Sequence, residues 1–467
     1  MTTPDVLADL LQTLDAPQPR YQMLSRWYEG LNNQLHFIEP ESREALGNKL
    51  ERLSINLCRL SINSIVERLR VCGFEGDSRL WEWFEDNELD IESASAHREA
   101  LLYGSSWAFV WVDSQGSPNV TIESSRNVAA HIDPGTREIT ECIKRYYSRG
   151  QTHCWLYLPD VIQQYVADSV GANTDFQLVK EIANPLGTPP VAQFRNPGRI
   201  HVPGLNYPER ANLGTSEIHD LIPINGAIDM TVADALVTSN FCARPRRYIS
   251  GIPLTEVPRV DQNGTPVLDA NGEQIIDTVN PIPEGARMIA VEDENGNVKI
   301  GQLPAADLAG YESLVKVLMA AAQATSALPS NYLGILTDQP ASADAYRAEA
   351  AGLTARSEEK AKAFGKTWDR VARLMIAVAD GVPVESVKVR TKWGPADYRS
   401  IAEESDAMVK LSTPPLYSRE TALAKLGMSA DEIEAEINRL DNDQFSKEYS
   451  QLSAITKATS QDRGING

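Results

Sequence analysis

The sequence has few cysteines, and this shortage narrows what the protein can be. There are five cysteines, and none of them form a CxxC pair: Cys58, Cys72, Cys142, Cys154 and Cys242. Because their number is odd, at least one has no partner within the chain. Unpaired thiols are typical of a reducing compartment rather than of a disulfide-bonded secreted domain. The first residues carry Asp5 and Asp9 where a secretory signal would have basic charge followed by an apolar stretch. We therefore expect synthesis in the cytoplasm.

Basic charge is also in deficit. Lysine and arginine number 44 against 64 acidic residues, which gives a net charge of -20. A protein that grips DNA through its phosphates carries a basic footprint, so tight, sequence-specific DNA binding is not expected. An acidic surface offers few partners to phosphate groups, so contact with a nucleic-acid backbone is expected to be weak.

Long apolar runs are scarce as well. The best candidate for a membrane span is residues 317–337, which contain Gln323, Ser326, Pro329, Ser330 and Asn331. Polar groups of this kind are costly at the centre of a bilayer. We predict no transmembrane helix there.

Motifs for catalysis, cofactors and metals are missing or incomplete. Gly365-Lys366-Thr367 resembles the end of a phosphate-binding loop, but Lys360 stands where the motif needs a glycine, and the surrounding pattern is helical. The segment 269–272 (DANG) places its glycine too early for a calcium loop. The six histidines show no HxxxH spacing. We predict no cofactor and no metal, and nothing in the sequence demands an enzyme.

The hydrophobic pattern divides the chain into regions of different secondary structure. Residues 42–69 have helical spacing, and the segments that follow, to about residue 200, are short, β-branched and aromatic. We predict an α+β domain that ends in a segment rich in proline and glycine. Helix is predicted again from Thr215, with an early break or kink at Pro223, to a stop near Arg244.

A compact β insertion and the longest helix come next. The insertion is marked by three Asn-Gly steps, at positions 263–264, 271–272 and 295–296, which favour tight hairpins. After a second predicted helix at 305–327 and a loop, a helical pattern runs from about Ser342 to Asp380, roughly 55 Å at 1.5 Å per residue. Only its second half has a strong apolar stripe, so we expect that half alone to be buried within the subunit. A strand and a charged helical region follow.

This order of elements resembles the portal, or head-to-tail connector, family of tailed bacteriophages, of the long-tailed type. Residues 26–30 (RWYEG) with Phe37 are similar to an N-terminal segment of that family, and residues 63–74 (NSIVERLRVCGF) to the helix after it. Further segments that match in order are 100–113, 214–251 and 328–350. The similarity covers nearly the whole chain.

The resemblance implies a fold of class α+β, the portal fold, with named parts. They would be a wing at 1–214, a first stem helix at 215–243, a β-rich clip at 244–304, a second stem helix at 305–327, a tunnel loop at 328–341, a very long helix with a return strand at 342–394, and a helical crown and tail at 395–467.

The resemblance also implies a function. A ring of typically twelve subunits would occupy the capsid vertex of the virion, after assembly in the host bacterial cytoplasm, and double-stranded DNA would pass through it during packaging and ejection. Its partners would be the terminase large subunit, the head-tail adaptor, and the major capsid and scaffold proteins, without a membrane. The alternatives are another ring-forming or minor capsid protein of the phage head and an intracellular enzyme with an unrecognised site.

Three groups of residues are candidates for function. One group, at the junction of the first stem helix and the clip, is Arg244, Arg246 and Arg247; a second, spaced i, i+4 on the long helix, is Lys362, Lys366 and Arg370. Each basic group is expected either to form solvated or intersubunit ion pairs or to contact DNA phosphates or a partner. The third group is the tunnel loop, whose uncharged tip could touch a moving duplex without trapping it: Pro329, Ser330, Asn331, Tyr332 and Leu333.

Overall fold

The computed structural model describes a large part of the chain in separate segments. They are residues 3–31, 54–113, 116–133, 135–198, 214–242, 247–250, 255–260, 264–268, 272–279, 288–291, 299–302, 308–334, 343–397, 410, 418–425, 428 and 433–442. The chain divides into two compact units. The first unit is Met1–Leu31, Asn56–Asn225 and Ala322–Gly467, and the second is Asn32–Ile55 and Gly226–Ala321.

The first unit begins with helices and turns mainly to strands only after residue 104, later than the change of hydrophobic period near residue 69 predicts. Its helices before residue 104 are α1 (Thr3–Asp15), α2 (Gln18–Glu29), α3 (Leu57–Val66), α4 (Arg79–Asp86) and α5 (Leu89–Tyr103), with strand β1 (Val71–Glu75) between α3 and α4. The strands that follow are β2 (Ser105–Val112), β3 (Pro118–Ser124), β4 (Val128–Ile132), β5 (Ile139–Ser148), β6 (Gln151–Tyr157), β7 (Val161–Ala167), β8 (Gln177–Ala183) and β9 (Val191–Arg195).

These strands form two antiparallel sheets. Strands β4 to β8 form a five-stranded meander in chain order, and β3-β2-β9 forms a three-stranded sheet. Period-2 alternation gives the meander two faces. On one face, Cys154 and Leu156 are buried against Leu10 and Leu14 of α1. On the other face, Cys142 packs with residues of the small sheet, and the two sheets share a core.

The long predicted helix is present as α8 (Ala343–Asp380), and its large aromatic core residues lie in the second half as expected, but Leu353 and Ser357 of the first half are buried as well. Residues 345–349 are exposed, whereas Phe364, Trp368 and Val371 are almost fully buried. This second half packs on β2 and β9. The predicted return strand is β15 (Arg390–Trp393), which pairs antiparallel with β1, while α9 (Arg419–Lys425) and a helical segment at 433–442 lie in the charged C-terminal region.

The second unit combines most of two helices with short strands. Helix α6 (Ile222–Cys242) starts seven residues later than predicted, so Pro223 falls in its first turn, where a missing N–H costs nothing. The strands are β10 (Arg247–Ser250), β11 (Thr255–Pro258), β12 (Ile276–Val279), β13 (Met288–Val291) and β14 (Lys299–Gln302), and α7 (Ala309–Ser326) follows.

The β insertion forms two small sheets, β13-β10-β14 and β11-β12. Between β11 and β12, isolated bridges join Val260 to Pro266 and Leu268 to Gln274. Gly264 and Gly272, the second residues of two predicted Asn-Gly turns, both have positive φ angles, 81° and 85°. Glycine reaches this region without steric cost, so both glycines have the backbone conformation that the predicted turns require. The third step, at 295–296, lies outside the described residues.

Candidate functional surfaces

The described part of the predicted tunnel loop is a short, anchored turn. Ser330–Leu333 forms a 3-10 helix that ends at Gly334 with a left-handed φ of 68°. The hydroxyl of Ser330 donates a 2.7 Å hydrogen bond to Oε2 of Glu349 in α8, and its backbone N–H donates to the same oxygen at 3.3 Å. The rest of the predicted loop, residues 335–341, lies outside the described residues.

The five loop residues are not equally available to a ligand. Pro329 and Leu333 are buried within the first unit, and Ser330 is held by its carboxylate partner. Asn331 is exposed and Tyr332 is half-buried. An amide and a phenol are therefore the side chains that this turn presents most openly, and neither carries a charge at neutral pH.

A buried ion pair fixes the chain beside this loop. Nζ of Lys360 lies 3.1 Å from Oε2 of Glu217, and Nδ2 of Asn196 donates to the same oxygen at 3.2 Å. One turn earlier on α8, Nη2 of Arg356 donates a 2.8 Å hydrogen bond to the carbonyl of Thr325 at the end of α7. A cation on the last carbonyls of a helix stabilises that end. The Lys360 contact holds the segment around Glu217 against α8, and the Arg356 contact holds the end of α7, where the loop begins, against the same helix.

The basic row on α8 is divided by its contacts. Lys362 and Lys366 are exposed, and Nζ of Lys366 lies 4.0 Å from Oδ2 of Asp369. Arg370 instead donates from Nε to the carbonyl of Val191 (2.9 Å) and from Nη2 to the hydroxyl of Thr188 (3.1 Å). Burial lowers the pKa of Arg370. The two lysines can meet a ligand, whereas Arg370 holds α8 against β9.

The arginine group falls mostly outside the described residues. Arg244 and Arg246 lie there, and Arg247 begins β10, where its backbone is in register with Met288 and Gln302.

The segment that resembles a phosphate-binding loop lies inside α8, as predicted. Residues 365–367 belong to the helix interior, where backbone N–H groups bond within the helix and cannot cradle a phosphate. The hydroxyl of Thr367 donates to the carbonyl of Gln193 at 2.8 Å. A Cβ on Gly365 would lie 2.9 Å from Nε1 of Trp393. Gly365 and Thr367 thus serve packing of the helix against its neighbours, whereas Lys366 is exposed.

An aromatic cluster that the sequence pattern does not single out holds the second half of α8. Nε1 of Trp368 donates a 3.0 Å hydrogen bond to Nε2 of His97, whose ring stacks on Phe364 at 5.1 Å between centroids. Burial lowers the pKa of His97 to about 3. The ring is therefore neutral, and because Nε2 accepts, its proton is on Nδ1. In the sequence, the signal that His97 is buried is its apolar neighbours on α5, Ala96 and Ala100.

Comparison with known proteins decides the family. The family model described as "Phage portal protein, SPP1 Gp6-like" matches residues 8–447. The chain belongs to this family of phage portal proteins. The predicted resemblance is thus confirmed, and with it the portal fold class.

Two curated portal proteins are similar over almost their full length. The portal protein of Mycobacterium phage L5 is 27% identical over 479 residues, which cover 95% of this chain and 92% of that protein. The portal protein of Mycobacterium phage D29 is 28% identical over 445 residues, which cover 89% and 86%. This portal protein is accordingly a structural component of a phage virion.

Solved structures of gene transfer agent particles also align with the portal chain. A chain of the virion of a native gene transfer agent particle gives a TM-score of 0.42 at 12% identity, over 87% of this chain and 93% of that one. A chain of the neck of an empty particle, computed with C6 symmetry, gives a TM-score of 0.44 at 12% identity, over 84% of this chain and 94% of that one.

Among the described helices of the portal protein, none is long and apolar enough to cross a membrane.

Proposed function

We propose that this portal protein forms a ring of about twelve subunits at the capsid vertex, through which double-stranded DNA is packaged and ejected. The observation that carries the proposal is the match to the portal family over residues 8–447. The net charge of -20 supports a conduit, because an acidic wall gives phosphates few places to bind.

Within the ring, we propose a division of the chain by the predicted boundaries. Helices α6 and α7 would be the stem, and the β insertion at 244–304 would be the clip that docks first the terminase large subunit and later the head-tail adaptor. The region up to residue 214 would be the wing, with the major capsid and scaffold proteins as its partners. Residues 395–467 would form the crown. Arg244, Arg246 and Arg247 would serve partner docking at the clip.

We assign contact with DNA to two kinds of group: uncharged side chains of the loop and exposed lysines of α8. Asn331 and Tyr332 lie on an anchored turn and offer polar atoms without a formal charge. Such groups can contact a moving backbone without the counterion-release affinity that a cluster of arginines would give. Lys362 and Lys366 are exposed on α8 and would supply weak phosphate contacts. Arg370 is assigned to anchoring because its donors are bonded to Val191 and Thr188.

The subunit is proposed to be a passive conduit and not an enzyme. The segment closest to a nucleotide-binding motif is packed inside α8, so the force for packaging would come from a separate motor. Purified ring should show no ATP hydrolysis above a buffer control. Hydrolysis at a motor-like rate, abolished by Lys366→Ala, would refute this division of labour.

Electron-microscope class averages of the purified protein test the proposal directly. A ring near twelvefold symmetry with an open axial channel is the expected result. A closed oligomer without a channel would refute the conduit and favour another capsid protein of the phage head.

A further inference from the structure

A hollow lined by tryptophan adjoins the core between the two sheets of the first unit, with which it shares Phe109 and Tyr157. This hollow, of about 320 Å³, lies between Trp111 on β2 and Trp155 on β6. Tyr157 also lines it, and its ring packs on Phe109 at 4.9 Å between centroids. Trp111 and Trp155 are each half-buried. Aromatic side chains left partly open in this way are typical of binding surfaces.

A second hollow shares Trp111 with the first. It has a volume of about 450 Å³ and is also lined by Leu186 in the loop after β8, by Val378 near the end of α8 and by Val382 just after that helix. Trp111 lines both hollows, and the neighbouring residues 182 and 183 of β8 line one each. We call the combined surface the tryptophan groove.

Strand β8 borders the groove as an edge strand. In the described sheet it pairs with β7 on one side only, so its other edge has backbone N–H and C=O groups without a strand partner. Near the start of the strand, outside the two hollows, Leu178 and Val179 are 52% and 64% exposed. An exposed apolar edge is a template for an added strand, and an added strand is a common way to bind an extended peptide.

The charge of the groove is local and positive. Lys180 is exposed on β8 and is the one charged side chain among the described residues that line the two hollows. The adjacent Glu181 alternates to the opposite face, where Gln163 donates a 2.8 Å hydrogen bond to it. In a chain of net charge -20, this face therefore offers a cation beside aromatic surface.

We propose that the tryptophan groove binds an extended, acidic segment of another protein, which adds as a strand to the free edge of β8. An aromatic side chain of the segment would enter the gap between Trp111 and Trp155, where ring contacts add to the burial of area. A carboxylate two residues away lies on the same face of a strand and would meet Lys180. The segment's main chain would complete the hydrogen bonds of β8.

The test uses the full-length chain and two labelled peptides, Ac-VTFTDTV-NH2 and its lysine counterpart Ac-VTFTKTV-NH2, followed by fluorescence anisotropy. The aspartate peptide should bind at least tenfold more tightly than the lysine peptide. Lys180→Glu should reverse this preference, and Val382→Asp should abolish binding of both. The matched control is Val170→Asp, at an exposed apolar residue away from the groove, which should leave binding unchanged.

Hydrogen exchange locates the bound peptide. Amides of β8 should exchange more slowly in the complex, while those of β4, the opposite edge of the same sheet, should not change. Equal affinity of the two peptides, or binding that survives both Lys180→Glu and Val382→Asp, would overturn the proposal. So would ring assembly that is lost with Val382→Asp and kept with Val170→Asp, because the groove would then be covered by a second copy of this chain. Ring formation itself is read separately by electron microscopy.

Discussion

His97 should make the stability of the first unit depend on pH in a way that one substitution removes. Burial lowers the pKa of His97 to about 3, against 6.5 for a histidine in an unfolded chain. Between these values the unfolded state binds a proton that the folded state excludes, so stability is full above pH 6.5 and falls as the pH is lowered. Each pH unit in this window is worth about 1.4 kcal/mol, so the loss from pH 7 to pH 5 should be roughly 2 kcal/mol from this residue.

Urea unfolding at pH 7 and pH 5, followed by tryptophan fluorescence, measures this loss. His97→Gln keeps an acceptor for the indole N–H of Trp368 but does not titrate, so its free energy of unfolding should fall by roughly 2 kcal/mol less than that of the wild type over the same interval. His219→Gln, at an exposed histidine, is the control and should behave as wild type. An identical pH dependence in wild type and His97→Gln would refute the assignment of a buried, neutral ring.

Three further substitutions test other contacts. Lys360→Met removes the nearer of the two cations of Glu217, whose carboxylate keeps Arg356 at 3.7 Å, and should lower the free energy of unfolding by about 1 to 3 kcal/mol in urea titrations; an unchanged midpoint would contradict a stabilising pair. Lys362→Glu with Lys366→Glu changes two exposed side chains and should allow ring assembly while reducing the amount of DNA packaged in an in vitro assay; normal packaging would exclude both lysines from DNA contact. Arg246→Glu with Arg247→Glu should impair binding of the motor or the adaptor in pull-down assays more than it impairs ring formation. Normal docking by this double variant would refute a role of these arginines in binding partners.

The sequence predicts elements well where a single local signal decides them. The stripe of Phe364, Trp368 and Val371 at helical spacing locates the buried half of α8, and those residues are nearly inaccessible to solvent. The Asn-Gly steps locate turns whose glycines have positive φ. Pro223 was expected to break or kink a helix that begins at Thr215, but it lies in the first turn of a helix that begins at Ile222, after a turn at residues 217–221. Whether a proline interrupts or begins a helix depends on where the first hydrogen bond forms.

The chemistry of individual side chains is not fixed by such local signals. Lys362, Lys366 and Arg370 read as one basic row, yet only the lysines are exposed, because Arg370 is bonded to Val191, 179 positions away in the chain. His97 and Trp368 are 271 positions apart and share a hydrogen bond. Separations of this size leave no periodic trace in a single sequence.

The sequence by itself thus determined the order of helices and strands, the acidic charge and the membership of the portal family, because periodicity, turn residues and local similarity are properties of neighbouring positions. The tertiary structure alone decided which cationic side chains are exposed to solvent, which histidine is neutral and which tryptophans are only partly buried. Trp111 and Trp155 line a common hollow because β2 and β6 belong to two sheets that share a core. Burial is a property of the folded neighbourhood, and desolvation there sets charge, reactivity and binding.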